Sequence, residues 1–231
     1  MLVAGEQLVV RRPFDDTVYG VLPTTRPEAV AGAVARARHA QAAWSRWPVT
    51  ERSRLFTRLA RLILHNRDRI LDTIQAETGK ARLSAFEEVM DAARGVRVFA
   101  VQAPGLLRPA RRRGALPLLT RTVEHHRPVG VVGIINPWNY PFNLPATDAA
   151  QALLAGNAVL LKPDSRTPFT ALLLAELLAE AGLPDGVFQV LPGSGAALGP
   201  ALVAHVDYLM FTGSTATGRT LAQACAERLI G

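Results

Sequence analysis

Hydrophobic and polar positions divide the chain into two regimes. From Pro27 to Gln102 the apolar residues recur at helical spacing. Thr25-Arg-Pro-Glu28 has the spacing of a capping box, and an Ala/Val/Trp-rich run to Trp44 follows it. Pro48 breaks that run. Thr50 opens a second helix with Leu55, Leu59, Leu62 and Ile63 on its face. A third is predicted over Asp68–Thr78, stopped by a left-handed Gly79. A fourth is predicted from about Arg82 to Gln102, with Phe86, Val89, Ala93 and Val96 on one face and Pro104 ending it. From Pro128 onward strands and helices alternate. Val129–Ile135 is a continuous apolar run, the pattern of a strand buried on both faces. Helix 144–155, strand Ala158–Leu161, helix 168–181, strand Val187–Leu191, helix 196–204, strand Tyr208–Thr212 and helix 216–229 complete the series. Right-handed crossovers then give an α/β fold, a doubly wound parallel, Rossmann-like sheet preceded by a helical N-terminal region. The last helix ends near Gly231, where a fifth strand is the natural next element, so the pattern predicts a further segment downstream.

Composition narrows this picture. Of 231 residues, 49% are hydrophobic and 19% charged, a globular balance. The formal charge is +7, yet only Lys80 and Lys162 among 26 basic residues are lysines. That dominance of arginine, with abundant alanine, reads as a GC-rich coding bias and not as a nucleic-acid footprint. One cysteine, Cys225, excludes a disulfide framework and a multi-cysteine metal site; it reads as a packed thiol. No metal site is expected, and the five histidines have no carboxylate or nucleophile at a telling spacing. No run reaches the roughly 18 apolar residues of a membrane span. The expectation is a soluble, cytoplasmic chain with no membrane or nucleic-acid partner. Arg111-Arg-Arg113 reads as a solvated loop, and Leu118–His125 as an exposed strand or hairpin arm.

Open α/β sheets bind ligands at the carboxyl ends of their strands. Four segments fall there: Asn136–Pro141, Lys162–Arg166, Pro192–Gly195 and Gly213–Gly218. Gly213-Ser214-Thr-Ala-Thr217-Gly218 joins a strand to a helix, where free N–H groups and the helix dipole suit a phosphate; a plain structural turn is the alternative. Gly193-Ser-Gly195 only loosely resembles a dinucleotide fingerprint. Lys162, a lysine where arginine is the rule, emerges at a strand end and is suited to ribose or phosphate oxygens. Asn139, between Trp138 and Tyr140 and bracketed by Pro137 and Pro141, has an amide that could serve a developing oxyanion or merely close its own turn.

Asn136-Pro-Trp-Asn-Tyr-Pro-Phe142, Ala155-Gly-Asn-Ala-Val-Leu-Leu-Lys-Pro163 and Phe211-Thr-Gly-Ser-Thr-Ala-Thr-Gly218, in that order, together with Glu77-Thr-Gly-Lys80, resemble the aldehyde dehydrogenase superfamily, most of all its NADP-using succinate-semialdehyde branch. The resemblance runs from Pro13 to Gly231. It implies an aldehyde substrate, a homo-oligomer, and a dinucleotide held by Ile135, Pro137, Trp138, Asn139, Lys162, Pro163, Asp164, Ser165, Arg166, Gly195, Gly213, Ser214 and Thr217. Asn139 would help hold the oxyanion, Lys162 the adenosine ribose, Gly213 and Ser214 the pyrophosphate. Ser165 stands where NAD-preferring members often carry a glutamate, and Arg166 beside it could pair with a 2′-phosphate, so NADP is expected over NAD. The resemblance also implies a division into a cofactor-binding domain over 1–113 and 129–231, its last strand missing, and an oligomerisation hairpin arm over 114–128. The family's general-base glutamate and nucleophilic cysteine match no residue here, so the expectation is an incomplete aldehyde dehydrogenase fold, without the catalytic domain, that does not turn over alone. A non-catalytic dinucleotide-binding module, or one half of a split enzyme, is the competing reading.

Overall fold

The structure, a computed structural model, describes residues 7–116 and 119–231. It opens with an antiparallel hairpin that the helical pattern did not predict: β1 (Gln7–Arg11) and β2 (Val18–Pro23). Asp15 closes it, its Oδ1 accepting from Thr17 N at 3.0 Å and from Thr17 Oγ1 at 2.7 Å. Four helices follow: α1 (Pro27–Trp44), α2 (Val49–His65), α3 (Arg67–Thr78) and α4 (Arg82–Leu106).

Three expectations need correcting. The N-cap of α1 is Arg26, not Thr25, and no side chain caps it. Pro27 in the first turn starts the helix, while Thr25 N donates to the Pro192 carbonyl at 2.7 Å. Pro104 does not end α4, which continues through it to Leu106. The proline has no N–H for the Ala100 carbonyl one turn earlier, and the Ser53 hydroxyl of α2 donates to that oxygen instead. Ser53→Ala is therefore expected to cost about 1–2 kcal/mol, the loss of a partner for a buried carbonyl; urea unfolding checks it. Finally, Phe86 is 41% exposed; the buried face of α4 is Ala85, Glu88, Val89, Ala92, Ala93, Val96, Ala100 and Ala103. A carboxylate within the buried stripe displaced the phase read from apolar residues alone. Gly79 does end α3 at φ +68.

A second hairpin pairs β3 (Ala110–Arg112) with β4 (Thr122–Glu124). Arg111 and Arg112 thus lie in a strand and not in a loop, and Arg112 Nε donates to Glu124 Oε2 at 2.5 Å. Part of the predicted arm, Leu118, lies outside the described residues.

The remainder alternates: β5 (Val131–Ile135), α5 (Asn143–Leu154), β6 (Ala158–Lys162), α6 (Pro168–Glu180), β7 (Phe188–Val190), α7 (Gly195–His205), β8 (Tyr208–Phe211) and α8 (Thr215–Glu227). The four strands are parallel in the order β7-β6-β5-β8. The first strand is thus internal, the second and third extend to one side, and the fourth lies on the other. That reversal is the switch point of a doubly wound sheet. Alternation in the central strands separates two cores. Val132, Ile134, Val159 and Leu161 join the apolar faces of α2, α4, α5 and α6. Val131, Ile135, Ala158 and Leu160 join those of α1 and α7. The N-terminal helices are therefore layers of the sheet, not an appendage. Among the described residues no helix is long and apolar enough to cross a membrane.

Candidate functional site

All four parallel strands end at one edge. Register places Ile135 beside both Lys162 and Phe211. The next backbone bonds continue the row: Asn136 N donates to Lys162 O at 3.3 Å, and Thr212 N to Ile135 O at 3.0 Å. Loops after β5, β6 and β8 therefore leave from one lip. The loop after β7 joins them, since a Cβ added at Gly195 would stand 3.4 Å from Lys162 Nζ.

Lys162 is the unusual group. Its residue is 5% exposed, yet among the described residues its ammonium makes no hydrogen bond and no ion pair within 4.0 Å. Burial pushes its pKa down, with the Asp164 carboxylate opposing and Arg166 adding to the shift. A partly desolvated ammonium without acceptors is costly, and such a group beside a glycine is suited to receive an oxygen-rich ligand.

The neighbouring loop is already braced. Arg166 Nε and Nη2 donate to the two carboxylate oxygens of Asp164 at 2.9 and 3.1 Å. Its guanidinium lies 4.8 Å from the Trp138 ring centroid, a cation–π contact that ties the loop after β6 to that after β5. Burial works to raise the Asp164 carboxyl, but the Arg166 hydrogen bonds and charge outweigh it and hold it below its ordinary value. Arg166, read from sequence as a free partner for phosphate, thus has a carboxylate partner within its own loop. Pro163 is buried, and Ser165 is half-buried between its charged neighbours.

At the other strand end, Ser214 Oγ caps α8 by accepting from Thr217 N at 3.2 Å, and it donates to Thr217 Oγ1 at 2.9 Å. Gly213 and Gly218 stand against the Phe211 ring, where a Cβ at Gly213 would come within 2.5 Å. Gly213, Ser214, Thr215 and Arg219 line an open hollow of about 480 Å³ at the start of the helix. Asn139 does not face this hollow. With Lys80, Glu88, Asp91, Tyr140 and Asn143 it lines a separate one of about 490 Å³ toward α4. The loops after β5 and β8 therefore share one edge but line two separate recesses.

Two residues here went unrecognised as site elements in the sequence. Lys80 Nζ donates to Glu88 Oε2 at 2.5 Å and to the Asn139 carbonyl at 2.6 Å. Two signals pointed to them: Lys80 is the other lysine in an arginine-rich chain, and Glu88 is an acid on a buried helical stripe.

Residues 3–230 match the aldehyde dehydrogenase family. A protein of Mycolicibacterium smegmatis, provisionally named succinate-semialdehyde dehydrogenase using NADP(+), is 52% identical over 100% of this chain and 46% of its own length. Among solved structures, succinate-semialdehyde dehydrogenase from Burkholderia pseudomallei superposes with TM-score 0.93 at 31% identity, covering 97% of this chain and 47% of that one. An NAD-dependent benzaldehyde dehydrogenase from Corynebacterium glutamicum gives 0.89 at 33%, covering 96% and 49%. The chain spans about half the length of these relatives. With its parallel sheet, its loops gathered on one edge and its sequence matched almost end to end, this chain belongs to the aldehyde dehydrogenase family.

Proposed function

We propose that the sheet edge holds a nicotinamide dinucleotide, NADP in preference to NAD, for oxidation of a short semialdehyde, and that the 231-residue chain by itself binds without turnover. The observation that carries this reading is Lys162, a buried side chain whose ammonium has no hydrogen-bond or ion-pair partner among the described residues. Ribose hydroxyls or a phosphate would supply the acceptors it lacks. The N-terminus of α8 at Gly213 and Ser214 suits the pyrophosphate. When bound, the nicotinamide supplies a hydride acceptor. Asn139, exposed on a turn between two prolines, donates its side-chain amide to the oxygen on which negative charge develops. The thiol that attacks the aldehyde in this chemistry is not furnished by Cys225. That cysteine is buried in α8, where burial pushes its pKa up. Residues 114–128, which include β4, serve as the oligomerisation arm.

The preference for NADP rests on Ser165, which places no carboxylate against a 2′-phosphate. Calorimetric titration is expected to show NADP bound about tenfold more tightly than NAD, equivalent to about 1.4 kcal/mol. Ser165→Glu is expected to erase that difference through like-charge repulsion. A folded chain that binds neither nucleotide would overturn the reading. Aldehyde-dependent NADPH formation by the purified chain would overturn its second half.

A further inference from the structure

The turn that carries Asn139 is held from outside by two charged side chains. Glu88 lies on the inward face of α4 with its side chain wholly buried. Its Oε1 accepts from Phe142 N at 2.9 Å and Asn143 N at 3.2 Å, which are amides at the start of α5. No side chain of the turn itself caps that helix. Its Oε2 is paired with Lys80. Lys80 Nζ in turn donates to the Asn139 carbonyl at 2.6 Å and sits 4.4 Å from the Tyr140 ring centroid. One ion pair thus grips the turn at residues 139, 140, 142 and 143, while Pro137 and Pro141 remove freedom from the chain between.

We infer that Lys80 and Glu88 are positioning residues: they fix, before any ligand arrives, the backbone from which Asn139 presents its side-chain amide. This rests on the proposal that Asn139 serves the reacting oxygen. A fixed donor is worth more than a mobile one, because no reorganisation is needed as charge develops. Both charges are needed. A buried carboxylate without its cation is strongly unfavourable, and without the ammonium nothing ties the Asn139 carbonyl down. Lys80 has acceptors on two sides and an aromatic face on the third, so it is engaged and not a free contact for substrate.

The test compares the wild-type chain, the charge-free double variant Lys80→Met/Glu88→Gln, and Lys80→Arg by NMR of the Asn139 side-chain amide, with saturation transfer from the protein to bound NADP. The double variant leaves no buried charge alone, and the amide oxygen introduced by Glu88→Gln still accepts from the α5 amides, so the fold is retained. Expected are a shifted and broadened Asn139 amide pair in the double variant and a roughly threefold or greater fall in saturation of nicotinamide protons relative to adenine protons, as a mobile donor loses its preorganisation. Lys80→Arg, which keeps a cation with several donors, is expected to restore both. A merely structural pair would lower the melting temperature and leave these signals in place, and that result would overturn the assignment. If wild type binds no dinucleotide, the functional proposal falls, while the Asn139 resonances still decide the clamp without it.

Discussion

Lys162→Met is expected to weaken dinucleotide binding by about 10- to 100-fold and, at the same time, to stabilise the free chain by about 1–3 kcal/mol. The two effects have one cause. The side chain is buried at the end of β6 and its ammonium has neither hydrogen bond nor ion pair among the described residues, so folding removes much of its water without providing acceptors. Burial accordingly drives its pKa down. Methionine keeps the length and flexibility of the stem and removes the charge, and Gly195 opposite leaves room for it. A ligand oxygen that accepts from the ammonium restores what folding took away, and hydrogen bonds to charged groups contribute about 1.5–3 kcal/mol each. Calorimetric titration and urea unfolding of the same two proteins check both halves. A variant that binds NADP as tightly as wild type would remove Lys162 from the site. A variant less stable than wild type would show that the ammonium already has a stabilising partner.

How far the sequence revealed this arrangement depends on the range of each interaction. Strands β5 and β6 were legible because burial on both faces leaves an uninterrupted apolar run. That they pair in parallel followed from right-handed crossovers. The first hairpin was not legible, because Val9, Val18 and Val21 remain 46%, 50% and 47% exposed and no clean two-residue alternation marks a core face. Glycine and lysine at the strand ends were visible as local signals. The groups that hold the site rigid were not, because they act across long separations. Helices α5 and α6 have no capping side chain of their own. Their first amides are satisfied by Glu88 and Glu77, from α4 and α3. The same holds for Ser53 and the carbonyl that Pro104 leaves open in α4. A cap contributed by a neighbouring helix leaves no trace in the segment that it caps. What the sequence does show is the donor's side: an acid on a buried stripe.

Glu77 makes that principle measurable through pH. Its side chain accepts from Phe169 N at 2.7 Å, Thr170 N at 2.9 Å and the Thr170 hydroxyl, all at the start of α6. Burial raises its pKa from 4.5 to about 7, against the opposing pull of those three hydrogen bonds. A carboxyl whose folded pKa lies above its unfolded value binds its proton more tightly when folded. Between about pH 4.5 and pH 7 the folded state therefore carries more protons, and stability falls as pH rises through that window, then levels off. A shift of this size corresponds to about 3 kcal/mol. Glu77→Gln keeps an oxygen for the α6 amides and cannot titrate. The stability of the variant relative to wild type is therefore expected to rise by about 3 kcal/mol from about pH 4.5 to about pH 7.5 and to remain constant above it. Urea unfolding of both proteins across that range reads the difference directly, and the other carboxylates cancel in the comparison. Parallel profiles would show that the three hydrogen bonds offset burial and leave Glu77 titrating as it does in the unfolded chain.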